Sequence, residues 1–417
     1  MKIIIVGAGP VGCYTAQLLK KMGYQPIVLE EHLTLGKPVE CAGIISSKLF
    51  DLMRPFVSEE AVINKINGFN INSAWVESFA INIPGIAVMI NREKFDANLG
   101  AGLEIYLGQR VSFIKRENDF YLLETVKGRK FEADILIGAD GVNSMVRKYL
   151  LEKYAQQKDH KNQNIKLDYY FGLQYQIRLT NSEQAMINNT NTMTNISAMA
   201  NTNTNANTNT NININTNAND IIQVYFNGTI PFFIWIAPEN HQKLRVGVIA
   251  EEGKKVLTDF LKEKGIEGKI EEVVTGKIPV GFIPTYGNQI ALVGDAACQT
   301  KPLTGGGLFY GLQSARLLAD CIAEGHLEQY DNNWKKMFGQ EIKFGIKARK
   351  IYESLDEQKR GELFQLFKKN AHFIEQMVDY DHHSLLFREA FRSPQLLMDA
   401  SKLFRFYLED LVKEFFA

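Results

Sequence analysis

Cysteine and long apolar runs are both scarce in this 417-residue chain. Its four cysteines, Cys13, Cys41, Cys298 and Cys321, lie far apart and form no CxxC pair. That spacing argues against a disulfide framework and against a metal site, and it suits a reducing cytoplasm. No stretch approaches the roughly eighteen apolar residues that a membrane-spanning helix needs. The apolar start is broken by Gly7 and Gly9, too early for a signal peptide. Net charge is missing as well: Lys plus Arg and Asp plus Glu both total 47, so nothing global points to nucleic acid. What is present, 45% hydrophobic and 23% charged residues, is ordinary for a soluble globular protein with room for two or three domains.

One tract departs from that pattern. Between positions 188 and 219, Asn and Thr supply 22 of 32 residues, with no charge, Gly or Pro. So little apolar surface cannot offset the entropy of ordering, and the tract is expected to be a disordered loop. Strand-like runs flank it at 169–179 and 221–226. Two strands joined by an inflated hairpin is the economical expectation.

The first thirty residues carry a nucleotide signature. A β-branched run at 2–6 predicts a strand buried on both faces. It leads into Gly7-Ala8-Gly9-Pro10-Val11-Gly12 and a helix expected over 13–22. Gly7 permits a tight turn, Gly9 lets a pyrophosphate approach the backbone, and Gly12 allows close helix–strand packing. The phosphate would then rest on the helix N-terminus beside Pro10, where free N–H groups favour negative charge. A second strand at 26–29 ends in Glu30, placed to accept hydrogen bonds from ribose hydroxyls.

NAD and FAD both fit that unit, and later motifs choose between them. A strand at 133–138 runs into Ala139-Asp140-Gly141, with Arg147 beyond it. Another at 289–293 ends in Gly294-Asp295, where Asp295 can hold ribityl hydroxyls. Gly305-Gly306-Gly307 and Leu308 then open a helix to about Ala323, whose N-terminus can stabilise an anionic reduced flavin. In this order the motifs resemble the p-hydroxybenzoate hydroxylase superfamily of FAD proteins. Arg92-Glu93-Lys94-Phe95-Asp96 is similar to that superfamily's R-x-x-F-D segment, which implies that Arg92 approaches the FAD phosphates.

Within the superfamily, three segments resemble the geranylgeranyl reductase family. They are Pro38-Val39-Glu40-Cys41-Ala42-Gly43, Thr304-Gly305-Gly306-Gly307-Leu308-Phe309-Tyr310-Gly311-Leu312, and Phe233-Ile234-Trp235-Ile236-Ala237-Pro238. The resemblance implies an FAD-dependent oxidoreductase that saturates carbon–carbon double bonds of isoprenoid chains, in lipid metabolism such as phospholipid biosynthesis. It implies Cys41 at the flavin as a proton relay or pocket-shaping group, and Phe233, Trp235 and Tyr310 against a prenyl-lipid substrate. Phe226 and Phe232 are expected beside them in an apolar tunnel. No second dinucleotide fingerprint is present, so NAD(P)H, ferredoxin and a deazaflavin all stay open as electron donor. An FAD monooxygenase and a non-enzymatic prenyl-binding escort protein stay open as alternative functions.

Helices are expected from 326 to the end. Leu396, Ala400, Phe404, Leu411 and Phe415 recur at helical spacing, on a face that could dock on the body or lie on the inner surface of the cell membrane. His382-His383 are expected to be solvated, since adjacent residues share no helix face. The expected architecture is α/β plus β. A Rossmann-like FAD-binding domain comes from 1–60, 88–150 and 276–325. An inserted antiparallel-sheet substrate domain comes from 61–87 and 151–275, and a C-terminal helical region from 326–417.

Overall fold

A computed structural model describes residues 1–156, 167–180, 220–228, 230 and 232–392. Every residue of the strand Ile3–Val6 is buried, and its side chains alternate between two cores. Ile3 and Ile5 pack with Val28, Ile137 and Ala291 on one face, while Ile4 and Val6 pack with Leu29, Leu136 and Leu292 on the other. Burial on both faces is why these strands read as continuous apolar runs. Among the described residues the sheet has six strands, in the order Tyr286–Gly287, Ile290–Leu292, Ile135–Gly138, Ile3–Val6, Ile27–Leu29 and Glu104–Tyr106. All are parallel except the first, which turns back on its neighbour.

The helix after the first strand spans Pro10–Lys21 and starts three residues before the expected position, because Pro10 is pre-set for the first helical turn. The expected strand at 133–138 splits in two. Asp134 turns out to accept a hydrogen bond from the Lys2 backbone N–H at 2.6 Å. Lys130–Ala133 then joins a separate three-stranded sheet with Val111–Glu117 and Phe120–Thr125.

Among the described residues the second large sheet has eight strands: Gly268–Val280, Asp168–Leu179, Lys243–Ile249, Ile234–Asn240, Ile221–Phe226, Val62–Ser73, Phe79–Ile90 and Ile44–Ser46, in that order. It overturns the hairpin expectation. Asp168–Leu179 pairs with Lys243–Ile249 and Gly268–Val280, and Ile221–Phe226 pairs with Ile234–Asn240 and, in parallel, with Val62–Ser73. The sheet also takes in Ile44–Ser46, which the sequence placed in the nucleotide-binding region. Its two faces are distinct. Ile234 and Ile236 pack under the helix Gly253–Glu263 with Leu257 and Phe260, whereas Trp235 and Ala237 face the opposite way, toward the nucleotide-binding sheet.

Residues 188–219 and 393–417, including the apolar face from Leu396 to Phe415, lie outside the described residues. The strands on either side of the Asn/Thr tract still bear on it. Leu179 and Ile221 are three strand spacings apart, about 14 Å. The eight residues at 180–187 can span about 26 Å when extended. Replacing 188–219 with a short Gly-containing turn is therefore expected to leave flavin content unchanged. Cutting this connection from 41 residues to about a dozen removes roughly 1 kcal/mol of closure entropy, so the melting temperature should hold or rise slightly. A thermal melt of purified protein checks this, and loss of soluble expression would contradict it.

C-terminal to Ala323 the chain forms helices Tyr330–Ser354, Glu357–Lys369, Ala371–Met377 and His383–Arg392. No helix among the described residues is long and apolar enough to cross a membrane.

Candidate active site

Between the two sheets runs one cavity of about 1740 Å³, lined by the glycine loops on one side and by the Trp235 face of the large sheet on the other. A pocket for one small ligand measures about 300–1,000 Å³, so this one has room for a dinucleotide and a second molecule.

The phosphate end is built from backbone. Gly7 sits at φ +102°, and a Cβ there would lie 2.3 Å from the Ala139 carbonyl oxygen. A Cβ on Gly12 would lie 2.0 Å from the Gly7 carbonyl oxygen, so Gly12 acts by letting the helix approach the strand. Gly9 differs from both. Its φ of −66° suits any residue, and a Cβ there would meet nothing within 4 Å because it would point into the cavity. The helix begins on Gly9 with no side-chain cap, which leaves its first N–H groups to a ligand. Glu30 lines the cavity with its carboxylate largely buried. It accepts from Ala8 N at 2.7 Å and from His32 N and Nδ1 at 2.8 and 2.7 Å. Glu30 thus braces the phosphate loop and still has lone pairs for a hydroxyl.

Asp140 and Gly141 also reach the cavity, but the Asp140 carboxylate is committed to its own loop. It accepts from the Ser144 hydroxyl, from Met145 N at 2.7 Å and from Val146 N at 3.1 Å, capping the helix Met145–Gln156. Arg147, buried behind it, donates to the Asp295 carbonyl at 3.1 Å and to the Val142 carbonyl, tying this loop to the next.

Gly294 at φ +65° turns the chain so that Asp295 faces inward. Asp295 Oδ1 lies 2.8 Å from where a Cβ on Gly307 would sit, so the third glycine makes room for the carboxylate. Lys301 N donates to Gly306 O, and Gly305 N donates to Lys301 O, closing the loop before the helix Leu308–Ala323. That helix also starts without a side-chain cap. Two open helix N-termini thus face one cavity.

Burial pushes Asp295 up to about 6, against the pull of Arg92 and Arg147. Being raised, it binds more protons in the folded than in the unfolded state. Without a ligand the protein should lose stability as pH climbs from about 4 to 6, and that gap above 3.8 is worth roughly 3 kcal/mol. Asp295→Asn is expected to flatten that loss. FAD-free variant and wild type should melt together near pH 4, and the variant several degrees higher at pH 7. Parallel melting curves at both pH values would refute the assignment.

Cys41 is half-buried on the cavity wall, its Sγ accepting from Gly43 N at 3.4 Å. Arg92 forms a two-pronged pair with Asp96 at 3.0 and 2.9 Å and stands near the Cys41 thiol. Arg92 therefore lines the cavity as a fixed charge between Asp96, Cys41 and Asp295.

Phe226, Phe233 and Trp235 line the opposite wall, and Trp235 Nε1 donates to Gln174 Oε1 at 3.1 Å. Two expected contacts are corrected. Phe232 is fully buried away from the cavity, packed on Tyr170 and under Arg349. Tyr310 is 1% exposed and points into the core, where it packs on Trp334 and Phe338 and donates to the Asp381 carbonyl at 3.2 Å. Two residues past the helix start at Leu308, it has rotated off the cavity-facing side.

The segment 378–383 was missed by the sequence reading. Val378, Asp379, Tyr380, Asp381 and His383 all line the cavity. Buried Lys301, from the glycine loop, donates to Asp381 at 2.7 Å and to the Tyr380 carbonyl at 2.8 Å, while Ser46 donates to the other Asp381 oxygen. Of the two histidines expected to be solvated, His382 packs its ring on Phe309 and Phe338 with 37% of its side chain still exposed, whereas His383 is not: burial beside Lys301 pushes it down to about 3, leaving it neutral.

Residues 1–73 match the family model described as an FAD binding domain. Over 95% of its length the chain is 27% identical to an uncharacterized protein of Methanocaldococcus jannaschii, covering 94% of that protein. It is 26% identical to digeranylgeranylglycerophospholipid reductase 3 of Methanosphaera stadtmanae, covering 85% of this chain and 88% of the relative. A crystal structure of a geranylgeranyl bacteriochlorophyll reductase-like protein from Thermoplasma acidophilum superposes with a TM-score of 0.71 at 18% identity, over 96% of this chain and 98% of that one. Fold, glycine loops and family match together define an FAD-dependent oxidoreductase. Within that class the chain is similar to digeranylgeranylglycerophospholipid reductases at about a quarter identity and shares the fold of the geranylgeranyl bacteriochlorophyll reductase-like protein.

Proposed function

We propose that this enzyme reduces carbon–carbon double bonds in the geranylgeranyl or other prenyl chains of lipids. The observation that carries the reading is the cavity itself. An aromatic wall of Phe226, Phe233 and Trp235 faces the glycine loops, and one thiol, Cys41, lines the same cavity. Gly9, Gly305, Gly306, Gly307 and Leu308 would hold FAD through backbone contacts, while Glu30 takes the ribose and Asp295 the ribityl chain. Bound there and reduced, FAD supplies a hydride, and a proton completes the saturated bond, two electrons in all. The protein holds an apolar chain against the cofactor, keeps water out and delivers the proton. Cys41 is the proposed donor, with the Arg92 guanidinium beside it. The substrate is drawn from the inner face of the membrane, with NAD(P)H, ferredoxin or a deazaflavin as the source of electrons.

The test is anaerobic. Dithionite-reduced protein is mixed with a geranylgeranylated lipid while flavin absorbance is followed, and the product is analysed for chain saturation. Reoxidation with matching saturation is expected. No reaction with any prenyl lipid, but prompt turnover with oxygen, NAD(P)H and an aromatic substrate, would make the protein a monooxygenase.

A further inference from the structure

One buried ion pair stands back from the active-site cavity and yet reaches the two segments that carry Cys41 and Arg92. Arg245 and Glu239 lie on the adjacent strands Lys243–Ile249 and Ile234–Asn240, 8% and 7% exposed. Arg245 Nε donates to Glu239 Oε1 at 2.7 Å, and Gln176 Nε2 donates to the same oxygen at 2.7 Å. The far end of the guanidinium is engaged with backbone. Nη1 donates to the Ala42 carbonyl at 2.6 Å, and Nη1 and Nη2 both donate to the Ile90 carbonyl at 3.4 Å.

Those two carbonyls are well placed. Ala42 follows Cys41 directly, and Ile90 comes two residues before Arg92, whose helix opens on the Asn91 cap. Ile90 N also donates to Gly43 O at 2.7 Å, joining the same two segments. A Cβ on Gly43, at φ +71°, would lie 2.4 Å from Arg245 Nη1, so this glycine lets the guanidinium come up against the loop. Across the sheet Arg245 pairs with Ala237 and Trp235 pairs with Gly247. Opposite residues share a face, as do residues two apart, so Arg245 projects on the same side as Trp235. Stability alone does not call for such a pair, because apolar residues of similar volume are often as stable in an interior or more so. A planar fork can do what an aliphatic side chain cannot, which is to hold separate acceptors in one fixed arrangement.

We propose that Arg245, braced by Glu239, is a positioning residue: it holds the Cys41 loop against the start of the Arg92 helix and so sets the place of the thiol on the cavity wall. Its part in the reaction rests on the reading of Cys41 as proton donor given above.

The test uses full-length, FAD-loaded protein and two variants. Arg245→Lys keeps a charge beside Glu239, but one nitrogen cannot occupy the places of three. Arg245→Met combined with Glu239→Gln removes both charges together, so no ion is left buried alone. Neither variant changes a residue of the cavity wall, and flavin content should match wild type. The first readout is the rate at which iodoacetamide labels Cys41, followed on its peptide by mass spectrometry. Cys13, Cys298 and Cys321 are at most 3% exposed and should not compete. Labelling should run about fivefold or more faster in both variants, because a loop without its anchor opens more often. The second readout is anaerobic reoxidation by a geranylgeranylated lipid. Arg245→Lys should lower the rate at saturating lipid about tenfold, with KM unchanged. In a Cys41→Ala background the same substitution should change nothing further, whereas a general weakening of the fold would slow both backgrounds alike.

Equal labelling rates in wild type and both variants overturn the proposal. So does an undiminished rate in Arg245→Lys where Cys41→Ala is slow, or equal slowing by Arg245→Lys with and without Cys41. Faster labelling in both variants of a protein that reduces no prenyl lipid upholds the anchor and removes the prenyl reading instead.

Discussion

Gly9→Leu protein should purify folded and colourless. Of the three glycines in the first loop, only Gly9 combines an ordinary backbone conformation with open space beyond its Cα. A side chain there strains nothing in the fold and fills the place where a pyrophosphate must meet the first N–H groups of the helix. The variant should melt at the temperature of wild type stripped of FAD, and added FAD should not raise it. Wild type should gain in proportion to the logarithm of FAD over its dissociation constant. Gly12→Val is the contrasting variant. Its Cβ would sit 2.0 Å from the Gly7 carbonyl oxygen, so it should lower the stability of the FAD-free protein itself. Gly9→Leu protein recovered yellow, with a full complement of flavin, would mean that the cofactor lies elsewhere.

Cys41→Ala is expected to keep FAD bound and reducible while slowing prenyl reduction about a hundredfold or more. Around the thiol stand the Arg92 guanidinium, the Gly43 N–H and the buried Tyr380 phenol. Arg92 keeps its proton at any accessible pH, a backbone amide is no acid, and burial pushes the Tyr380 phenol up, so none of them replaces a positioned donor. General acids contribute about a hundredfold to ten-thousandfold. The comparison is anaerobic: wild type and variant at equal flavin content, both reduced, mixed with the same geranylgeranylated lipid. Equal rates would leave the reductase reading standing and reduce Cys41 to a packing residue.

The parts of this site legible in the sequence are those in which a few consecutive residues carry the whole physical requirement. Gly7, Gly9 and Gly12 answer to one turn, one ligand and one helix–strand contact. Asp295 and Gly305–Gly307 likewise follow a strand end and precede a helix start within a dozen positions. Strand pairing is not local. Alternation in 169–179 and 221–226 marks strands without naming partners, and the large sheet separates these two by Lys243–Ile249 and Ile234–Asn240. Phe232 and Phe233 are neighbours in sequence with opposite fates, one buried against Arg349 and the other on the cavity wall. Lys301 and Asp381, eighty positions apart, show no periodicity that would connect them.

The strand order of the two large sheets also has a cost in time. Ile3–Val6 must wait for Ile135–Gly138, which in turn waits for Ile290–Leu292, and Ile44–Ser46 shares a sheet with Gly268–Val280. At about 5–20 residues per second, a ribosome needs on the order of 15–60 seconds between emitting the first strand and the last. Throughout that interval the nascent chain carries apolar strands with open edges and no partner. Such non-local pairing makes folding slow and aggregation-prone, so synthesis should depend on chaperones, and N-terminal fragments ending before residue 290 should be insoluble.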